Sequence, residues 1–348
     1  MTADLEALLT ALYVLIDDHV IPSGRRRPGR PKKLSDAELA CLAVAQVLLG
    51  ARSEHHWLRM CYARLGHLFP YLPKQPGYHK RLKAAAPLLA AVMDHLAREC
   101  PSWHDQVRLI DATPVPCGTS RETVKRSELA GWAGYGYCAA HSRWYWGLKL
   151  YLLTTPDGMP VAWCLATPKT GEREVAAALL AHAARTGVLR PGLTLIGDKG
   201  FAGRDFEDLI TTGYGMSLVR PDRRDEAPRH GSIGWIRQWI ESVNDTLKGQ
   251  LDLERHGGRT TEGVYARIAQ RLLAMAAAIW HNWERSALLH GVAQACLDRS
   301  GEPWQDAEAR YRQHNLARVR SHLGDELFDR AYATGMALSV EEALRMAL

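Results

Sequence analysis

Between residues 105 and 290 the apolar pattern leaves the helical period and breaks into short β-rich runs, and the order of those runs restricts the fold. Val107 to Thr113 reads as a strand. Trp144 to Thr154 and Met159 to Thr167 are two more, joined by the hairpin-like connection Pro156-Asp157-Gly158. Helical spacing then covers Glu172 to Arg185 and Arg204 to Thr212, with strands at Leu193 to Gly197 and Met216 to Arg220. Ile233 to Leu251 and Thr261 to Trp283 follow as helices. The order β-β-β-α-β-α-β-α predicts an α/β domain, a mixed sheet flanked by helices, over residues 105–290.

The two flanking regions read as helical. Leu5, Leu8, Leu9, Leu12 and Leu15 have helical spacing, and Ser35-Asp36-Ala37-Glu38 is a capping-box pattern opening a helix through about Leu49. Glu54 to Leu65 and His79 to Ala97 predict further helices, which makes residues 1–100 a helical domain. Beyond the break at Gly301-Glu302-Pro303, Ala307 to Leu323 and Asp325 to Ala333 predict two helices, with a short one after Ser339, so residues 291–348 form a helical extension.

Composition narrows the setting. The seven cysteines are odd in number, scattered and without a CxxC pair, which argues against a disulfide framework or a structural zinc site. The first residues lack the basic start and apolar core of a signal peptide, and no apolar stretch reaches the ~20 residues that span a bilayer. A cytoplasmic protein with no membrane partner is the expectation. The net charge of +6 is a modest excess. Its distribution says more: Arg25, Arg26, Arg27, Arg30, Lys32 and Lys33 form a basic run with no acidic residue inside it. A run of this kind in front of short helices is expected to bind DNA phosphates or to be a solvated tether. Its Gly29-Arg30-Pro31 core resembles an AT-hook, an arm that enters the minor groove.

Three carboxylates carry the candidate chemistry. Asp111 and Asp198 each follow a strand-like run, and Glu241 lies on the amphipathic helix Ile236 to Leu247. On that helix Ile236, Ile240, Val243 and Leu247 repeat at core spacing, while Arg237, Glu241, Asn244 and Lys248 repeat at the same steps one residue round. Two strand aspartates and a helical glutamate can converge on one site, and oxygen ligands suit Mg²⁺ or Mn²⁺. Taken alone, Glu241 with Arg237 also reads as an ordinary surface pair, and Asp198 as the start of the Asp198-Lys199-Gly200 turn.

Together these residues resemble the bacterial insertion-sequence transposases of the DDE type, whose catalytic domain has the RNase H-like fold. Arg237-x₃-Glu241-x₆-Lys248 is similar to that family's glutamate signature. Ile196-Gly197-Asp198-Lys199-Gly200-Phe201 and Leu109-Ile110-Asp111-Ala112-Thr113-Pro114-Val115 resemble its two aspartate blocks. The chain departs from the fuller signature at Gly234, where the family has a tyrosine. The resemblance covers roughly residues 30–290. It implies a DNA transposase in which Asp111, Asp198 and Glu241 hold two Mg²⁺ ions, with Mn²⁺ as an alternative. It implies cleavage at the element's terminal inverted repeats and transfer of the 3′-OH to a target duplex by a homo-oligomer on DNA, associated with the nucleoid. Arg237, Lys248, Lys199 and Lys149 are the expected phosphate contacts. A metal-dependent nuclease without strand transfer and a domesticated DNA-binding regulator remain open. The tail is different: Leu323-Gly324-Asp325-Glu326-Leu327-Phe328-Asp329-Arg330-Ala331 and its surroundings resemble the helical C-terminal segment of large bacterial ATPase-type transcriptional regulators, as a gene fusion would produce.

Overall fold

A computed structural model describes residues 2–21, 32–118, 120–138, 142–222, 226, 234–300 and 306–339. The chain divides into two compact units, Met1–Arg98 with Ser102–Ala277 and Glu99–Pro101 with Ala278–Leu348.

The larger unit opens with helices α1 (Thr2–Leu15), α2 (Asp36–Leu48), α3 (Glu54–Arg64), α4 (Gln75–Ala84) and α5 (Ala86–Glu99). The leucines of α1 are all buried. The capping box at α2 forms as its sequence predicts: the Glu38 N–H donates to Ser35 Oγ at 3.0 Å and the Ser35 N–H donates to Glu38 Oε2 at 2.5 Å. The segment expected as one helix from His79 to Ala97 is two. Pro76 starts α4 four residues early, and Pro87, lacking an N–H, sits in the first turn of α5 and separates it from α4 at Ala85.

The sheet is built from β1 (Val107–Gly118), β2 (Gly134–Cys138), β3 (Arg143–Thr154), β4 (Pro160–Ala166), β5 (Thr194–Ile196) and β6 (Ser217–Val219). The short α6 (Arg121–Arg126) precedes β2. Helix α7 (Glu172–Arg185) precedes β5, and α8 (Arg204–Asp208) precedes β6. Strand β3 is the hub. Antiparallel β1 lies along one edge, while β2 and then β4 share the other, β2 beside Arg143 to Gly147 and β4 beside Lys149 to Thr154. Beyond β1 come β5 and β6, both parallel. The resulting order β4-β3-β1-β5-β6, mixed and flanked by helices, is the RNase H-like arrangement. Leu148, Leu150, Tyr151 and Leu153 of β3 have no solvent exposure, as a central strand covered on both faces requires.

After β6 come α9 (Gly234–Asp245) and α10 (Thr261–His281). Helix α10 is apolar on most of its circumference, and its residues up to Ala277 belong to this unit. Its few polar side chains hold the N-terminal helices. Gln270 Nε2 donates to the Ala43 carbonyl at 2.8 Å and to Gln46 Oε1 at 3.1 Å, and the Tyr78 hydroxyl donates to the same Gln46 oxygen at 2.8 Å. Arg267 pairs with the buried carboxylate of Glu54, which also accepts from Gln75 Nε2 at 2.7 Å. A satisfied buried network of this kind fixes one packing of α2, α3 and α4 on α10.

The smaller unit contains α11 (Trp283–Ser300), α12 (Asp306–Leu323) and α13 (Asp325–Ala337). Here α11 and α13 cross through glycine. A Cβ on Gly291 would strike the Tyr332 carbonyl, and one on Gly335 would strike that of Leu288. Helix α11 was not expected, and the anticipated helix after Ser339 lies outside the described residues, as does the Gly301-Glu302-Pro303 break. Among the described residues no helix is long and apolar enough to cross a membrane. All seven cysteines are free thiols.

Candidate active site

Parallel pairing of β1 with β5 sets Leu109 beside Ile196. Asp111 lies two residues beyond Leu109 on β1 and Asp198 two residues beyond Ile196, just past the end of β5, near enough for its charge to act on Asp111. The Gly197 N–H still bonds the Val219 carbonyl at 3.1 Å, which carries the pairing to the edge of Asp198. Asp111, expected at a strand end, lies inside β1, because β3 keeps β1 extended to Gly118 after β5 has stopped.

Asp198 does begin a turn, as its local sequence allows. Its Oδ1 accepts the Gly200 N–H at 2.6 Å and caps the single 3₁₀ turn Lys199–Phe201. Glu172, in the first turn of α7, reaches the same place. A Cβ on Gly200 would lie 2.5 Å from Glu172 Oε2 and 2.8 Å from Asp198 Oδ1, so the two carboxylates flank this glycine and a larger residue would displace them. Glu172 is ion-paired to Lys149. Crowding by neighbouring protein raises the Asp198 pKa and Glu172 raises it further, against the Gly200 N–H, Lys149 and Lys199.

Helix α9 covers the same face. Ile240 packs on the cluster of Leu109 and Ile196, with Val107 and Val219 beside it. One turn on, the Asn244 amide donates to Asp111 Oδ2. Burial pushes the Asp111 carboxyl up to about 6; the Asp198 charge adds to that, while Asn244, the Ala112 N–H and Lys248 oppose it. Glu241 is exposed on α9, three residues before Asn244. Past Asp245 the helix widens into a π turn, Thr246–Gln250, which contains Lys248.

The structure therefore brings Asp111, Asp198, Lys149, Lys199 and Lys248 into one electrostatic neighbourhood. Among the described residues no group of three or more His, Cys, Asp or Glu side chains is spaced to hold a metal ion. The donor chemistry suits a hard cation, but Asp111 has one oxygen engaged by Asn244 and Asp198 has one engaged by Gly200. The Arg237 side chain lies outside the described residues, as do Arg25, Arg26, Arg27 and Arg30. Of the basic run, Lys32 is tied to Asp36 at 2.6 Å, and Lys33 lies over the Tyr71 ring at 5.3 Å.

Two participants were not assigned from sequence. Asn244 was visible only as a member of the Glu241 stripe, and nothing local marked it as the partner of Asp111. Glu172 stands in the first turn of α7, where the helix dipole alone is a sufficient reason for an acidic residue. No sequence spacing links it to Asp198, because the start of α7 and the turn after β5 meet only in the folded domain.

Residues 102–277 match the family described as Transposase DDE domain. No curated protein and no solved structure matches the chain significantly.

Proposed function

Since the chain belongs to the DDE transposase family, we propose that it cuts DNA at the ends of a mobile element and transfers the freed 3′-OH to a target duplex. Asp111, Asp198 and Glu241 are the proposed catalytic carboxylates. The observation that supports this most is the β1–β5 register, which carries the chain to Asp111 and Asp198 side by side, with the Glu241 helix docked on Leu109 and Ile196 through Ile240 and tied to Asp111 by Asn244.

The family acts on DNA with divalent metal ions. In this reading the three carboxylates hold two ions, Mg²⁺ or Mn²⁺. When bound, such ions activate the attacking oxygen and stabilise the leaving one in an in-line displacement at phosphorus. Water first attacks the scissile phosphate, and the P–O3′ bond breaks to leave a 3′-OH. That hydroxyl then attacks a target phosphodiester, and its P–O3′ bond breaks in turn. Lys248, Lys199 and Arg237 neutralise and orient the strand. Lys149 acts at one remove, holding Glu172 beside Asp198. No covalent protein–DNA intermediate is required.

Residues 1–100 would supply DNA binding, 105–290 catalysis, and 291–348 an extension of foreign origin. The working form would be a homo-oligomer on DNA at the nucleoid. A second reading, DNA binding without catalysis, is favoured by the absence of a closed three-carboxylate ligand set among the described residues.

The test uses inverted repeats identified in the flanking genomic DNA. The full chain is incubated with labelled element ends, intact and pre-cleaved, with Mg²⁺ and a target plasmid. Cleavage and joined products are expected. Joining of neither substrate, with DNA binding intact, would select the second reading.

A further inference from the structure

The turn that carries Asp198 is held from a second helix. Helix α7 begins with Glu172 and Arg173, and both reach that turn. Glu172 Oε2 and Asp198 Oδ1 both lie against Gly200. Arg173 Nη1 donates to the Ala202 carbonyl at 3.3 Å. The same guanidinium lies against Gly203, where any Cβ would strike it. Residues 198–203 therefore meet the first turn of α7 at two places, once through a carboxylate and once through a cation.

Glu172 does more than a helix-dipole residue has to. Glu174 stands in the same first turn and is exposed, which is all that the dipole needs. Glu172 is instead turned to the sheet and paired with Lys149 of β3. Lys149 lies three residues from Leu152, the partner of Asp111, so it is on the other face of β3 from Asp111. Asn244 thus holds Asp111 from one face of the sheet, while Glu172 approaches the Asp198 turn from the other. Tyr145, Lys149 and Tyr151 are spaced by even steps and share this second face. The two tyrosine hydroxyls are buried with no hydrogen-bond partner among the described residues. The Glu172 charge acts on both phenols. Two spare donors in the field of one carboxylate are more than a surface ion pair at a helix start requires.

We propose that Glu172 is a positioning residue for Asp198. With Arg173 it fixes the turn at residues 198–203, and its carboxylate adds a negative charge that draws a divalent cation to Asp198. Lys149 holds Glu172 in place and offsets part of that charge. The pair so balances affinity for the cation against placement of the aspartate. The inference rests on the transposase reading for the role of Asp198, and adds to it a residue outside the three carboxylates.

The experiment titrates Mn²⁺ alone onto the full chain, without DNA, and follows the free ion by electron paramagnetic resonance. Cleavage of the element-end duplex is measured in parallel. Glu172→Gln keeps the shape and loses the charge, so it should bind Mn²⁺ roughly ten-fold more weakly and cleave more slowly. Glu172→Asp restores the charge and should bind the ion more tightly than Glu172→Gln. Lys149→Met should do what a loss of structure cannot. Mn²⁺ should bind roughly three-fold more tightly while cleavage slows, because the uncompensated Glu172 carboxylate attracts the ion but is no longer held. Thermal unfolding in chelator identifies a variant that does not fold, and if Glu172→Gln is one, the Lys149→Met affinity decides. Wild-type Mn²⁺ affinity in the folded variants would overturn the role of Glu172 and leave the transposase reading standing, since its three carboxylates would still take the ion. A wild type that takes up no Mn²⁺ and cuts nothing would overturn both.

Discussion

The side-chain amide of Asn244 donates to Oδ2 of Asp111, tying the helix that carries Glu241 to the strand that carries the first aspartate. The contact fixes which carboxylate oxygen faces outward and how α9 sits over Leu109 and Ile196. Hydrogen bonds to charged groups are worth ~1.5–3 kcal/mol, so losing this one loosens the helix without unfolding the sheet. Asn244→Ala should therefore slow cleavage roughly ten- to a hundred-fold, as small misplacements at a reacting centre do. DNA affinity should stay near that of the wild type, and the Mg²⁺ concentration for half-maximal cleavage should rise. An unchanged Mg²⁺ requirement with slower cleavage would remove Asn244 from any role in positioning Asp111.

Asp111 also makes folding stability depend on pH. Its carboxyl is pushed up to about 6, above the ordinary carboxylate range, chiefly by burial. A group raised on folding contributes stability that is complete below its unfolded value and is lost as pH rises through its folded value. In metal-free buffer the Asp111→Asn protein should be more stable than the wild type at pH 8. The difference should shrink as pH falls through 6 and be gone near pH 3.5. Thermal unfolding in chelator across that range gives the comparison. Added Mg²⁺ should raise the wild-type midpoint at pH 8 and leave that of Asp111→Asn unmoved.

Asp198→Asn keeps the shape and the Gly200 contact but removes the charge. Mg²⁺-dependent cleavage should fall to background, while duplex binding should be largely kept, since the substitution removes a negative charge and no cation. Cleavage at the wild-type rate would remove Asp198 from the ligand set.

The sheet was legible in the sequence because its strands are nearly continuous apolar runs and its helices keep their period. The capping box at Ser35 and the hairpin turn at Pro156 to Gly158 are local chemistry, and both formed. What could not be read depends on neighbours distant in the chain. β1 runs five residues past Thr113 because β3 pairs with it there. The alternation of Tyr135 and Tyr137 is legible as strand, but the place of β2 on the free half of the β3 edge exists only once the sheet is assembled. The carboxylates were picked out by the strand-like runs before them, the stripe on the Glu241 helix and resemblance to a family, and their spacing in sequence says nothing of distance. The adjacency of Asp111 and Asp198 follows from parallel register, whereas the Asn244 and Glu172 contacts required packed helices.

Arg267 and Glu54 should be a sharp test of how the N-terminal helices are held. The side chains of Arg267 and Glu54 are 13% and 6% exposed and face each other between α10 and α3. Removing one partner of a buried pair typically costs ~3–5 kcal/mol, because the other is left uncompensated. Arg267→Ala should lower stability by about that amount in urea unfolding, and Arg267→Leu with Glu54→Leu should recover most of it. A single-variant loss below about 1 kcal/mol would mean that Glu54 is solvated and the pair is a surface contact.

Deleting residues 301–348 should leave DNA cleavage intact. Asp111, Asp198 and Glu241 all belong to the larger unit, and the deleted residues belong to the smaller one. The cost should appear in solubility instead. Helix α11 buries Ala287, Val292 and Ala295 within the smaller unit, and its crossing with α13 is close enough to require Gly291 and Gly335. Without α12 and α13 that apolar side of α11 faces water, an exposed patch that promotes association. Light scattering should show aggregation at concentrations where the full chain stays dispersed, and replacing Val292 with a charged residue in the truncated protein should reduce it. Cleavage by the dispersed fraction should match the full chain per mole. Truncated protein that unfolds at the wild-type temperature yet no longer cuts would place the extension inside the working enzyme and end the fusion account of its origin.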